Sequence, residues 1–547
     1  MPYNDGEPAS QRASEPAGLP VDPRFRDWLT VGFQRTLLVV ARTETALSRL
    51  LDIVSLVERD PRVQVVFTTD PGNPAVFRAG LDEHLAARGA RVIDWAQATS
   101  ARFDLAISAS ENDNLAELDA PVLLVPHGLG HQKYYPNSGI VAGMNPARLL
   151  HDGTVIPETI ALSHPEQRAQ LARICPPADA HAVVVGDPTL DRLLAGRLRA
   201  EAYRAALGAT GKTLVTLSST WGAESLLATD PALPERLVAE LPVDEYRVAL
   251  LLHSGVWSAH GPWQVRAWLS RAAELGLHLV GPTGNWQAVL SATHCLISDE
   301  GSLALYAAAL DLPILLVDKT GGKTVTGSPL ARLAELAPRL DPATGLAAQV
   351  DAAITGHRPG GWTQAISRAA ERPGQCAEVL RPLVYRALDL SEPDGEPVMR
   401  PADLPEEAPH QVAVMVAGAI DDEPVLALRR LPGAPNHPLP HQHLVADVDR
   451  APYGKVTAAS VLLVDDGQRA TALLAQYPRA EVVATRIDAT SVRVATRQGR
   501  SVVRAADPPR GFDPTVLASL VFVRGRLSGS DKLRVGSRVI EVELAAS

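Results

Sequence analysis

Short, continuously apolar runs, separated by stretches long enough to be helices, recur twice over in this chain, and that rhythm limits the fold more than any other feature. TLLVVA (36–41), VQVVFTT (63–69), RVIDW, DLAISAS and PVLLVPH form a first series. AVVVGDP (182–188), TLVTLSST (213–220), RVALLLH (247–253), LHLVG, HCLISD (294–299) and PILLVD (313–318) form a second. Most of these runs lack the alternation of a sheet with one wet face, so they read as parallel strands covered by helices on both sides. The intervening segments, TETALSRLLDIVSLVERD and a stretch from about Val76 to Gly89 among them, carry helical spacing. Strands alternating with helices in two series predict an α/β fold of two Rossmann-like, doubly wound halves.

The first half is placed at 30–180 and the second at 181–390. Residues 1–29 are polar and Pro-rich and offer too little apolar surface to offset the entropy of ordering them. SEPDGEPVMRPADLPEEAPH, within 391–410, reads as an acidic, Pro-rich linker. Beyond it, 411–547 changes character. QVAVMVAG, EPVLALRR, ASVLLVDD, AEVVATRI, SVRVATR and RVIEVEL are strand-like, several with period two, and helical stretches stand out only near 467–477 and 513–525. This is expected to be a separate α+β module, a candidate for binding a protein partner.

Composition excludes some classes of function. A formal net charge of −10 gives no global attraction to nucleic acid or anionic lipid. Cys175, Cys295 and Cys376 are widely spaced and form no CxxC pair, which argues against a disulfide framework. No export signal or apolar run long enough for a membrane span is evident, so a cytoplasmic protein is expected, peripheral to the inner membrane face at most.

In doubly wound sheets ligands bind beyond the carboxyl ends of the strands, and residues with chemistry fall there. PVLLVPHGLGHQKYY ends a strand at Pro126 and opens a loop with His127 and Gly128. His127 can act as a base near neutral pH, Gly128 and Gly130 permit close approach of backbone to a ligand, and His131 and Lys133 supply charge. The plain alternative is a turn whose histidine bonds a backbone carbonyl. GDPTLDRL (186–193) reads mainly as a strand end and a helix cap at Thr189. TLVTLSSTWG ends in Ser218, Ser219 and Thr220, with Trp221 following, and LLLHSG places His253 at another strand end. LISDEGSLALYAAALDLPILLV is a compact βαβ unit whose helix starts near Gly301 and Ser302, where free amides favour an anion. Asp299 and Glu300 would accept from ribose or substrate hydroxyls, or cap the helix.

Other signals fail. GKT occurs at 211–213 and 322–324, but the positions a P-loop needs as glycine hold Ala206 and Val317. His437, His441 and His443 lie in a Pro-rich loop, a weak setting for a metal. Arg192, Arg197, Arg199 and Arg204 read as a solvated helix face.

Taken in order, HGxxxxK, GDPxxDRL, a strand ending STWG, LLLH, ISDEGS and LPILLVD resemble the CDP-glycerol glycerophosphotransferase family over about 120–320. The resemblance implies a GT-B glycosyltransferase fold, a cleft between the halves that binds a nucleotide diphosphate, and a role in cell-envelope polymers. It implies His127 as the general base on an acceptor hydroxyl and His253 as a contact to the donor diphosphate. Asp299 and Ser302 match the donor loop, and Thr220 and Trp221 a Thr-Trp signature. The sequence departs from the pattern at Leu129–Gly130 after the HG pair, at Gly222, and at Glu300–Gly301. DEGS also resembles the Asp-Ser-Gly-Gly loop of UDP-N-acetylglucosamine 2-epimerases.

The expected chemistry is inverting transfer of a glycerol-phosphate, polyol-phosphate or sugar group from a CDP- or UDP-linked donor to a small-molecule or polymer acceptor. It needs no cofactor and no metal, because amides at Gly301 and Ser302 and a protonated His253 can stabilise the leaving phosphate. Gly128, Lys133, Ser219, Thr220, Trp221, Asp299 and Glu300 complete the expected substrate contacts. One rival is an epimerase using Glu111, Asp113 or Glu224. The other is a nucleotide sensor with an eroded donor loop.

Overall fold

The computed structural model describes residues 30–72, 80–135, 138–317, 324–420, 425–433 and 439–546. The expectations for 1–29, the start of the 76–89 helix, Asp318, the second GKT (Gly322 and Lys323) and His437 fall outside the described residues. The chain forms two compact units, one of residues up to Asp191 with Arg368–Met399, the other of Arg192–Ser367 with Arg400 onward.

The first unit is built on strands β1 (Arg35–Val40), β2 (Val63–Thr68), β3 (Val92–Ile93), β4 (Leu105–Ser108) and β5 (Val122–Leu124). A two-stranded hairpin of β6 (Leu150–His151) and β7 (Thr154–Val155) follows, then β8 (Thr159–Leu162) and β9 (Ala182–Val184). Apart from the hairpin these make one parallel sheet in the order β3-β2-β1-β4-β5-β8-β9. The order reverses at the β1/β4 junction. β1 shows why the sheet is parallel: Leu37, Leu38, Val39 and Val40 are all fully buried, so neither face meets water. Helix Glu44–Val54, capped by the Thr43 hydroxyl, lays Leu47, Leu50 and Ile53 on the face carrying Leu37 and Val39. Each such side chain contributes roughly 1.5–3 kcal/mol of burial.

Two segments read from sequence as part of the second half join this unit instead. β9 is the last strand of the first sheet. Helix Cys376–Ala387 packs Leu380, Val384 and Tyr385 into the same core as Leu37 and Val39. A strand–helix rhythm gives the elements but not the sheet each one joins.

The second unit repeats the plan with β10 (Thr213–Ser219), β11 (Tyr246–Leu252), β12 (His278–Leu279), β13 (Cys295–Ser298) and β14 (Ile314–Leu316), ordered β12-β11-β10-β13-β14 and parallel throughout. One face packs Val215, Leu217, Leu250 and Ile297 against helices that carry Leu237, Trp257 and Val350. The other packs Leu214, Ala249 and Leu251 against Tyr203, Leu207, Val289 and Ala292. Strand order again reverses, between β10 and β13. Both halves are therefore doubly wound, as the sequence rhythm implies.

The C-terminal module is a closed barrel. Its strands are β15 (Ala413–Ile420), β16 (Val425–Leu431), β17 (His443–Asp447), β18 (Val461–Leu463), β19 (Val482–Arg486), β20 (Ser491–Thr496), β21 (Gly499–Ala506), β22 (Gly529–Val535) and β23 (Arg538–Ala546). Helix Val516–Arg524 is apolar all round, and Val516, Leu517, Leu520 and Val521 share the barrel's core with Val416, Leu428, Val492 and Val503. The module has its own core, yet it is anchored. Arg430 of β16 pairs with Asp244 and, at 2.9 Å, with Asp513. The Val243 amide bonds the Arg430 carbonyl at 3.0 Å, and Lys212 Nζ donates to the Val243 carbonyl at 2.7 Å. The first GKT thus serves as part of a docking joint. Lys212 and Asp244 immediately precede β10 and β11, so the barrel sits at the amino ends of those strands.

The segment expected to be a linker is also pinned. The Tyr203 hydroxyl donates to the Ala402 carbonyl at 2.5 Å, Asn285 Nδ2 to that of Leu404 at 3.0 Å, and the Ala408 amide to that of Ala206 at 3.1 Å. Its prolines remove donors, but its carbonyls remain, and side chains of the second unit take them up.

Candidate functional site

The expected site residues resolve into two groups, one at the carboxyl edge of each parallel sheet. His127, Gly128 and Lys133 belong to the first unit; Ser219, Thr220, Trp221, His253, Asp299, Glu300, Gly301 and Ser302 belong to the second.

In the first unit, loops leave β4 and β5 beside the strand-order reversal. His127 exposes its ring, whereas Gly128 and Lys133 are half-buried. Surrounding protein lowers the proton affinity of His127, the Glu111 carboxylate opposes this, and Arg49 and Lys133 add to it. Neutral imidazole is the form this balance favours, which suits a base.

The rest of the loop is held from beneath. His131 is buried, and its Nδ1–H donates to the Ala142 carbonyl at 2.8 Å. Its Nε2 is therefore the unprotonated nitrogen, and it has no partner among the described residues. The ring lies on Gly143 (φ +89°), where a Cβ would stand 2.4 Å from it. Gly130 was expected to admit a ligand. Instead its bare Cα (φ +71°) admits Gln167, whose Nε2 would lie 2.1 Å from a Cβ there.

The carboxylates weighed for an epimerase are largely occupied. Glu111 accepts from the Tyr135 hydroxyl and, at 2.7 Å, from the Gly143 amide. Asp113 accepts from Arg42 at 3.0 Å, yet burial pushes its pKa up to about 6. Glu224 keeps one buried oxygen without a partner among the described residues.

In the second unit the strand-order reversal falls between β10 and β13, and one carboxylate organises it. Asp299 is fully buried and accepts from the Thr220 amide at 2.9 Å, the Thr220 hydroxyl at 2.8 Å and the Leu226 amide at 2.9 Å. Asp299 therefore positions the Thr-Trp loop, and the sequence expectation of a ribose contact does not describe these bonds. Ser219 is likewise turned inward, accepting from the Leu227 amide at 3.1 Å and donating to the Thr220 carbonyl. Glu300 accepts from Thr324 at 3.2 Å and pairs with Arg339 at 3.8 Å.

Three groups at this edge face outward or are half-exposed. Ser302 is exposed at the first turn of helix Ser302–Ala309, whose leading amides have no intrahelical partners. Trp221 is 41% exposed, with its ring centroid 6.4 Å from that of His253. His253 Nδ1 accepts from the Gly255 amide at 2.9 Å, so its proton is on Nε2 and the ring is a hydrogen-bond donor even when neutral. Gly301, where the family pattern has a serine, lies against Thr220: a Cβ at 301 would stand 2.8 Å from Thr220 Cγ2.

Sequence reasoning missed Arg49. It lies on the inward face of helix Glu44–Val54 among leucines, and a charge on an apolar stripe was the available signal. Arg49 Nη1 and Nη2 contact Asp187 at 2.8 and 2.5 Å, with both side chains buried. The GDP motif is thus more than a helix cap, although Asp187 also accepts from the Leu190 amide at 2.7 Å.

No protein-family model matches the chain. No curated protein matches it either. Solved structures similar to it include the wall teichoic acid polymerase TagF, at 13% identity and TM-score 0.46 over 65% of this chain and 89% of that one. MnaA of S. aureus with UDP is similar at 12% identity and TM-score 0.41, over 66% and 99% of the two chains. HepE of Anabaena, in complex with UDP and glucose, is similar at 10% and 0.35, over 65% and 99%. No helix among the described residues is long and apolar enough to cross a membrane.

Proposed function

We propose that this chain is a transferase that moves a glycerol-phosphate, polyol-phosphate or sugar group from a nucleotide-diphosphate donor to an acceptor hydroxyl. The observation that carries the reading is the loop arrangement at the β10/β13 reversal. Asp299 locks Thr220 in place, Gly301 lets the helix start close against Thr220, and His253 carries its proton on Nε2. Helix amides at Ser302 and the His253 N–H are donors suited to charge growing on a leaving phosphate, and Trp221 offers a flat apolar face. His127, neutral and exposed on the first unit, is the candidate base for the acceptor hydroxyl, with Gly128 and Lys133 beside it. The ordered motifs shared with the CDP-glycerol glycerophosphotransferase family support the same reading.

The test is a panel of CDP-, UDP-, GDP- and ADP-linked compounds, read first by thermal stabilisation and then, in the presence of polyol acceptors, by release of nucleotide monophosphate for a transferred polyol-phosphate or nucleotide diphosphate for a transferred sugar. Expected is stabilisation by a CDP- or UDP-linked donor. His127→Ala should abolish nucleotide release and keep the stabilisation. Stabilisation without turnover in the wild type would replace the transferase with a nucleotide sensor, and an epimerised sugar would replace it with an epimerase.

A further inference from the structure

We propose that Arg49, with Asp187 as its counter-charge, is the positioning residue that fixes the His127 loop; the proposal rests on the reading of His127 as the base. The two carbonyls flanking His127 are both held by one side chain. Arg49 Nε donates to the Pro126 carbonyl at 3.0 Å, and Nη2 reaches the Gly128 carbonyl at 3.4 Å. Nη1 and Nη2 also donate to Asp187, bidentate, at 2.8 and 2.5 Å. Arg49 is 3% exposed and Asp187 1% exposed, so the pair is a fixed post and not a surface contact.

The chemistry explains why the residue is arginine. A planar guanidinium presents donors in fixed directions and can satisfy a carboxylate and two carbonyls together, which an ammonium cannot. Asp187 is held in turn by the Leu190 amide at 2.7 Å, at the start of helix Pro188–Arg197, after a turn at Gly186 (φ +83°). The loop carrying His127 is thereby referenced to helix Glu44–Val54 and to the end of β9, two rigid elements of the first unit. A base must stand within hydrogen-bond reach of the proton it removes, and small displacements reduce rate without abolishing binding.

Arg49→Met alone leaves Asp187 buried and unpaired, a defect in folding as well as in placement. The decisive variant is therefore Arg49→Met with Asp187→Asn, which removes both charges and keeps an acceptor for Leu190. Arg49→Lys, which keeps the buried charge, is the second variant. Expected for both is an unfolding midpoint near that of the wild type, faster amide exchange confined to 127–133, kcat lowered at least tenfold, and little change in the KM for donor. Recovery of kcat together with stability in the double variant would reduce Arg49 to a structural role and overturn the proposal, as would wild-type exchange rates in the loop. Should the wild type turn over no donor at all, the transferase reading fails, and the exchange measurement still decides whether Arg49 holds the loop.

Discussion

At the scale of single residues, the proton affinities of His127 and Asp113 are shifted in opposite directions, which experiment can separate. Glu111 raises the proton affinity of His127 against the desolvation imposed by the surrounding protein. Replacing it by Gln removes a negative charge that stabilises the imidazolium, so the acid limb of the pH–rate profile should move to lower pH; an unmoved limb would remove Glu111 from the electrostatics of His127. Asp113 is the second case. Its folded-state value is raised from 3.8 to about 6, chiefly by burial. The folded state then holds its proton more tightly, and this group's contribution to stability falls as pH rises from about 4 to 6. Asp113→Asn should therefore gain on the wild type across that window, by up to ~3 kcal/mol. Urea unfolding of both proteins at pH 4 and pH 7 reads the difference, and an equal gap at the two pH values would show that the carboxyl is not so perturbed. Asp299 and Arg49 show how far such roles are legible in sequence. Strand-end position flagged Asp299 as a substrate contact, and only the fold shows its oxygens taken by Thr220 and Leu226. Arg49 is distant in sequence from Asp187, so nothing local announced their pairing.

At the scale of elements, the sequence rhythm translated well where burial is two-sided. TLLVVA, VQVVFTT, TLVTLSST, RVALLLH and HCLISD coincide with β1, β2, β10, β11 and β13 to within a few residues. Apolar strands without alternation leave little freedom in how they can be covered. What the rhythm could not supply was partnership: β9 and helix Cys376–Ala387 have the right pattern and the other sheet. The donor loop illustrates a constraint between elements. A side chain at 301 would meet the loop after β10, which brings Thr220 Cγ2 to 2.8 Å of the place a Cβ would take. Gly301→Ser should then lower stability by about 1–3 kcal/mol, the usual cost of overpacking. Adding Thr220→Ser removes the clashing methyl and keeps the hydroxyl that Asp299 accepts from, so the pair should recover most of the loss. A double-mutant cycle by chemical denaturation checks this; additive losses would mean that the two positions do not press on each other.

At the scale of the molecule, the barrel's place on the second unit separates stability from the candidate chemistry. The sequence predicted an α+β module, but closure into a barrel depends on which edges meet, and alternation within a strand carries no information about its neighbours. With helix Val516–Arg524 packed into its core, the barrel is filled largely by its own residues, and the charged group of Arg430, Asp244 and Asp513 forms part of its attachment. That joint precedes β10 and β11, whereas Thr220 and His253 follow them, so the length of both strands lies between joint and site. Arg430→Met leaves the largely buried Asp244 carboxylate without its guanidinium, while Asp513 keeps Arg486 and Thr515, and should cost about 3 kcal/mol. The strands themselves are fixed by two-sided burial and not by the barrel, so the carboxyl edge should keep its shape. The expected outcome is a lowered denaturation midpoint with an unchanged thermal shift on adding nucleotide donor, at a temperature where the variant is folded. A donor response lost in parallel with stability would show that the barrel's anchorage is transmitted along β10 and β11 to the loops of Thr220 and His253, and would make the barrel part of the site's mechanical support.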